Sequence, residues 1–151
     1  MKSIRGGVYL VERVILTKIE SIERCVQRID EIYGGDIERL NDYLYQDAIV
    51  LNIQRACQQS IDLSMYLCSK LAFGIPKSSR DSFTLLKENK VITEDISKLM
   101  EKMVGFRNVV IHEYQEVELE IIKFIVEKGR EDFLKYTNEI LNYIKKMEDN
   151  R

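Results

Sequence analysis

A chain of 151 residues, 45% hydrophobic and 32% charged, has the composition of one folded domain and not of a disordered segment. At this length roughly 68–70% of the unfolded surface can be buried, so a core forms without disulfide or metal staples. The net charge of −2 excludes an overall basic surface, and any contact with nucleic acid needs a local basic patch.

A single proline and seven glycines favour long helices over many short strands. Residues 1–8 carry Lys2, Arg5 and the pair Gly6-Gly7; they are expected to form a flexible arm before a single helical domain over 9–149. They show no apolar core or cleavage site of a secretory signal. The first helix is predicted from Tyr9 to Tyr33, where Val11, Val14, Ile15, Ile19, Ile22, Val26, Ile29 and Ile32 recur at helical steps. Gly34-Gly35 stops it, because glycine takes the left-handed cap conformation without strain.

Asp36 is expected to cap a second helix that runs to about Phe73, with a bend near Tyr45–Asp47. Ile49, Ile53, Ala56, Leu63, Leu67 and Leu71 form its apolar side. Asn52, Arg55, Gln59, Asp62 and Tyr66 share another stripe, either a solvated face or the lining of a polar cleft or subunit interface. Gly74-Ile75-Pro76 ends this helix. After the basic loop holding Lys77 and Arg80, Ser79 or Asp81 is expected to cap a short third helix carrying Phe83, Leu85 and Leu86.

Thr93 is the predicted cap of the fourth helix, with Glu94 and Asp95 in the first turn where the helix dipole favours them. Ile96, Leu99, Met100, Met103, Val104, Phe106 and Val110 supply its buried side. Gly105 within it costs about 1 kcal/mol relative to alanine, a cost that close approach of another backbone would explain. A polar link at Tyr114–Val117 leads to a fifth helix from about Glu118, with Gly129 as a candidate break.

The cysteines Cys25, Cys57 and Cys68 are odd in number and lack a C-x-x-C pair, so they read as buried thiols of a reducing, cytoplasmic compartment. No run reaches the roughly 18–20 apolar residues of a membrane span.

The one stretch with evident chemistry is Arg107-Asn108-Val109-Val110-Ile111-His112-Glu113-Tyr114, which holds the only histidine. Histidine titrates near neutral pH, so it can take a proton from an RNA 2′-hydroxyl or give one to a leaving 5′-oxygen. Arginine stays charged and offers a planar fork that matches phosphate oxygens. One histidine without a Cys/Asp/His cluster is poor material for a metal site. On an ideal helix Arg107 and His112 stand about 140° apart, whereas Asn108 and His112 share a face. Asn108 can therefore orient the imidazole, while Arg107 needs its long side chain, a distorted helix end or a second subunit to join it. A simpler reading remains, in which a histidine in a last helical turn is favoured by the dipole alone.

Arg107-Asn108-x-x-x-His112-x-Tyr114 resembles the Arg-x4-His-x-Tyr motif of the HepT-type toxins of the HEPN superfamily. The stretches KMVGFRNVVIHEY, EVELEII, IQRACQQSIDLSMYL and ESIERCVQRI are similar to corresponding stretches of such proteins, in the same order, over about residues 10–145. The resemblance implies an all-α, up-and-down bundle of about five helices that forms a symmetric homodimer. It implies a metal- and cofactor-independent endoribonuclease, the toxin of a toxin–antitoxin pair, with Arg107 and His112 catalytic and Asn108 supporting. It implies a MntA-like nucleotidyltransferase antitoxin that transfers AMP from ATP onto Tyr114. A dimer cleft that also gathers Arg55, Lys77 and Arg80 would bind RNA locally despite the acidic total. HEPN domains also include non-catalytic members, so a module that binds a nucleotidyltransferase or a nucleotide is the alternative.

Overall fold

The described residues of the computed structural model form six α-helices, α1 (Lys2–Tyr33), α2 (Tyr43–Lys70), α3 (Ser79–Glu88), α4 (Glu94–Glu113), α5 (Leu119–Phe124) and α6 (Arg130–Asp149). It describes residues 2–113 and 119–150, with side chains described over 10–110 and 119–150, and the described residues contain no strand. A π turn, Ile125–Gly129, joins α5 to α6 without interruption, so these two form the predicted fifth helix.

The four long helices close a ring. Helix α1 packs along α2, α2 against α4, α4 against α6, and α6 back against α1; α3 bridges α2 and α4. Ile15, Ile22 and Ile29 of α1 and Ile49, Ile53, Leu63 and Leu67 of α2 fill the interior with Met100, Val126, Phe133 and Ile140. Each such side chain contributes about 1.5–3 kcal/mol when removed from water. Several polar groups inside find partners. The Tyr136 hydroxyl donates to the Ser60 carbonyl oxygen at 2.9 Å, and its ring meets Phe83 edge-on with centroids 5.7 Å apart. Ser64 Oγ donates to Ser82 Oγ at 2.8 Å, and Ser82 Oγ donates to the Ser79 carbonyl at 2.6 Å, tying α3 to α2. An ion pair between Arg130 and Asp30 joins α6 to α1.

Several expected boundaries move. Helix α1 begins at Lys2 and not at Tyr9, so the stretch expected as an arm supplies its first turns. Asp36 caps only a 3-10 turn, Ile37–Asn41, by accepting from the Glu38 N–H. Asp42 caps α2 by accepting from the Leu44 N–H at 2.9 Å. A second cap at that point, and not a bend at Tyr45–Asp47, sets the direction of the helix. Helix α2 stops at Lys70, and Ala72, at φ 57°, takes the left-handed conformation just beyond it. Ser78, one residue before the expected positions, caps α3 by accepting from the Asp81 N–H, while Asp81 accepts from the Lys77 N–H at 2.8 Å. Gly129 does not break the fifth helix. Its φ and ψ of −64° and −27° are helical, and the π turn absorbs the irregularity.

All three cysteines are free and buried. Burial pushes the Cys57 thiol up to about 12 and the Cys68 thiol up to about 11. No described helix is long and apolar enough to cross a membrane.

Candidate active site

Helix α4 carries Arg107, Asn108 and His112, and its backbone stays α-helical through Glu113. The helical register therefore holds from Arg107 to His112, with Asn108 and His112 on one face. The His112 side chain and the whole of Tyr114 lie outside the described residues.

Arg107 is half-buried between α2 and α4. Its Nη1 donates to Gln58 Oε1 of α2 at 2.7 Å, and its Nη2 donates to Asn108 Oδ1 at 2.8 Å. Its Nε is buried without a hydrogen-bond partner. Gln58 passes the interaction on, since its Nε2 donates to Asp62 Oδ1 at 2.9 Å. The guanidinium is thus held at two terminal nitrogens and keeps further N–H groups for a ligand. Its positive charge also pulls the Cys57 thiol down, against the larger opposite effect of burial.

Asn108 is therefore fastened to Arg107 by its carbonyl oxygen, whereas its sequence position suggested only His112 as partner. Its position four residues before His112 still sets it on the histidine's face of the helix. Gln58 escaped the sequence reading, which named its neighbour Gln59. A signal existed: Gln58 precedes Asp62 by four residues, one helical turn.

The basic residues separate. Arg80, on the first turn of α3, lies against Gly105, where an added Cβ would stand 3.1 Å from Arg80 Nη2. What approaches the glycine is a guanidinium, not the backbone expected. Gly105, Asn108 and His112 share a face of α4, so Arg80 sits on the histidine's side of the helix. Arg55 is exposed on α2, one turn before Gln58, and its charge acts with those of Arg24 and Arg28 on Cys25. Lys77 is exposed in the loop before α3.

The polar stripe of α2 is neither wholly solvated nor wholly a cleft. Asn52 is buried and donates to the Ala48 carbonyl at 2.8 Å, and Asp62 belongs to the Arg107 network. Tyr66 stacks with Lys18 and Lys70 at 5.9 and 5.8 Å from its ring centroid. A separate groove of about 680 Å³ runs between α4 and α6, lined by Lys98, Lys102, Lys135, Asn138 and Asn142 among others. It lies on the N-terminal half of α4, away from Arg107. Among the described residues no group of His, Cys, Asp and Glu side chains could hold a metal ion.

The family described as Ribonuclease HepT-like has a model that matches residues 22–140, from α1 through α6 with the motif inside. The chain belongs to this family. The mRNA nuclease HepT of Shewanella oneidensis is 42% identical to it over 127 residues, covering 84% of this chain and 96% of the relative. The tRNA nuclease HepT of Aphanizomenon flos-aquae is 24% identical over 144 residues, 92% of this chain and 96% of the relative. Among solved structures, the tri-AMPylated Shewanella oneidensis HEPN toxin in complex with MNT antitoxin aligns with a TM-score of 0.81 at 42% identity, over 85% of this chain and 97% of that one. The Bacillus subtilis cytosolic protein YutE, of unknown function, aligns with a TM-score of 0.78 at 14% identity, over 90% and 92% of the two chains, a likeness of fold alone. In this HepT-like ribonuclease the stretch from Arg107 to Tyr114 begins on a guanidinium hydrogen-bonded to Gln58 of α2.

Proposed function

We propose that this chain is the endoribonuclease toxin of a toxin–antitoxin pair, acting without a metal ion or cofactor at a cleft between two copies of itself. The observation that carries this reading is the placement of Arg107. Its guanidinium is half-buried, held by Gln58 and Asn108, and sits on the same helix as the only histidine. Such a group can bind the scissile phosphate and stabilise the charge that develops during displacement. His112 takes the proton of the 2′-hydroxyl, and O2′ attacks phosphorus. The 5′-oxygen leaves as a hydroxyl on taking a proton from a His112 imidazolium of the two-copy cleft, and the other strand end keeps a 2′,3′-cyclic phosphate.

The catalytic residues are Arg107 and His112, with Asn108 supporting both. Of the three basic residues, Arg80 is the best placed to bind RNA, because it shares the histidine's side of α4; Arg55 stands a turn from Gln58, and Lys77 contributes charge at the edge. The partner is a MntA-like nucleotidyltransferase, which silences the toxin by transferring AMP from ATP to Tyr114. The added phosphate puts bulk and negative charge two residues from His112 and repels an RNA backbone. The relative captured with MNT antitoxin in a tri-AMPylated state supports this part of the reading. The setting is the cytoplasm, in keeping with three buried free thiols.

The test is His112→Ala. It should abolish RNA cleavage and growth inhibition while leaving the circular dichroism of the wild type. Equal cleavage by mutant and wild type would sink the enzyme reading and leave a binding module. Mass spectrometry after co-expression with a neighbouring nucleotidyltransferase should find adenylyl increments on Tyr114, and none there in Tyr114→Phe.

A further inference from the structure

Arg107 is a long side chain, and a phosphate-binding arginine is useful to a transition state only when it is already in position. Among the described residues, two groups hold its terminal nitrogens. Asn108 is its neighbour on the same helix, so Gln58 alone ties the guanidinium to another element. The chemistry of this tie is specific. An arginine can only donate and a carboxylate can only accept, so a side chain bridging them must accept at one end and donate at the other. A glutamine amide does both, and its two partners settle which end is oxygen: Oε1 faces Arg107 and Nε2 faces Asp62. A glutamate at 58 would face Asp62 with like charge, and a lysine would repel Arg107.

We infer that Gln58 and Asp62 of α2 are positioning residues for the catalytic arginine, a relay from α2 that sets the orientation of the Arg107 guanidinium before RNA arrives. This rests on the reading of Arg107 as the group that binds the scissile phosphate. Asp62 fixes the amide and polarises it, which makes Oε1 a better acceptor. The relay acts from a helix of the bundle core, so the guanidinium is presented by a rigid element.

The experiment measures cleavage of a labelled RNA at saturating concentration in a single turnover, and binding of its fully 2′-O-methylated copy, in the full-length protein. Gln58→Leu and Asp62→Leu should each slow cleavage roughly tenfold to a hundredfold, as expected for a misplaced catalytic group. Binding of the uncleavable copy should change much less, because the charge of Arg107 is still present. Asp62→Asn keeps an accepting oxygen and should recover most of what Asp62→Leu loses. In an Arg107→Ala background, Gln58→Leu should cause no further loss. Wild-type rates in Gln58→Leu and Asp62→Leu, beside an inactive His112→Ala, would overturn the relay and leave the nuclease standing. Wild-type cleavage by His112→Ala would overturn the nuclease reading itself. Should the leucine variants fail to fold, nitrogen-15 NMR of the Arg107 guanidinium in His112→Ala decides the matter. Separate, slowly exchanging Nη–H signals are expected, and averaged signals from a freely rotating group would overturn the relay.

Discussion

Tyr136 is held at both ends of its side chain, with the ring against Phe83 and the hydroxyl on the Ser60 carbonyl, and it has no exposed surface. Burial pushes its phenol well above the usual range, so it stays a donor at any working pH. Tyr136→Phe keeps the ring and removes the donor; it should cost about 0.5–1.5 kcal/mol in urea denaturation and leave RNA cleavage intact. The thiols carry a pH dependence of their own. Cys57 and Cys68 titrate in the fold at about 12 and about 11, against 9.0 when free. The folded chain therefore holds protons that the unfolded chain has released at alkaline pH. Stability from these neutral thiols is complete below pH 9 and is lost as pH rises from there through the folded values. Replacing both by alanine should flatten the alkaline fall in stability measured by denaturant titration. Residue identity alone singled out Arg107 and Asn108 as candidates. It did not reveal Gln58, because an unremarkable glutamine on a helix gains its role only from the arginine opposite.

At the scale of elements, the periodicity of apolar residues found every long helix and the side it buries. The ends were less legible because caps are local contests. Asp36 and Asp42 are both competent caps six residues apart, and a 3-10 turn between them lets each serve. Asp42→Ala should cost about 0.5–2 kcal/mol, since the Leu44 N–H loses its acceptor at the start of α2, and Asp36→Ala should cost less because it caps a single short turn. Thermal unfolding of the two variants makes the comparison. Thr93 caps α4 as its sequence position predicts, its Oγ1 accepting from the Ile96 N–H at 3.4 Å, and gains a partner no local rule foresees: its N–H and hydroxyl both donate to the carboxylate of Glu139, on α6, at 2.7 to 3.1 Å. Gly129 read as a breaker because glycine often is one. In the fold it lies helical against Met103, whose Cε would stand 2.9 Å from an added Cβ, so it serves close packing between α4 and the π turn.

For the whole molecule, the ring of α1, α2, α4 and α6 leaves apolar side chains uncovered on α4 and α5. Val109 of α4 and Ile121 and Phe124 of α5 are 41%, 43% and 55% exposed. The proposed homodimer would cover such residues and bring two copies of the motif together. Phe124→Asp should then shift the sedimentation of the protein to the monomer and reduce cleavage with it, while circular dichroism stays helical. Retention of a dimer would move the interface elsewhere on the ring.

The sequence by itself determined the all-α class, the buried faces, the free thiols and the residues able to do chemistry, because helical period and side-chain chemistry are local properties. Only the tertiary structure decided which faces meet. Gln58 and Arg107 are 49 residues apart, and Thr93 and Glu139 are 46 apart. Periodicity says that a residue points inward or outward, but not which helix stands opposite, and a hydrogen bond over a few ångströms depends on that choice. The relay from Asp62 through Gln58 to Arg107 exists because α2 and α4 are neighbours in the ring.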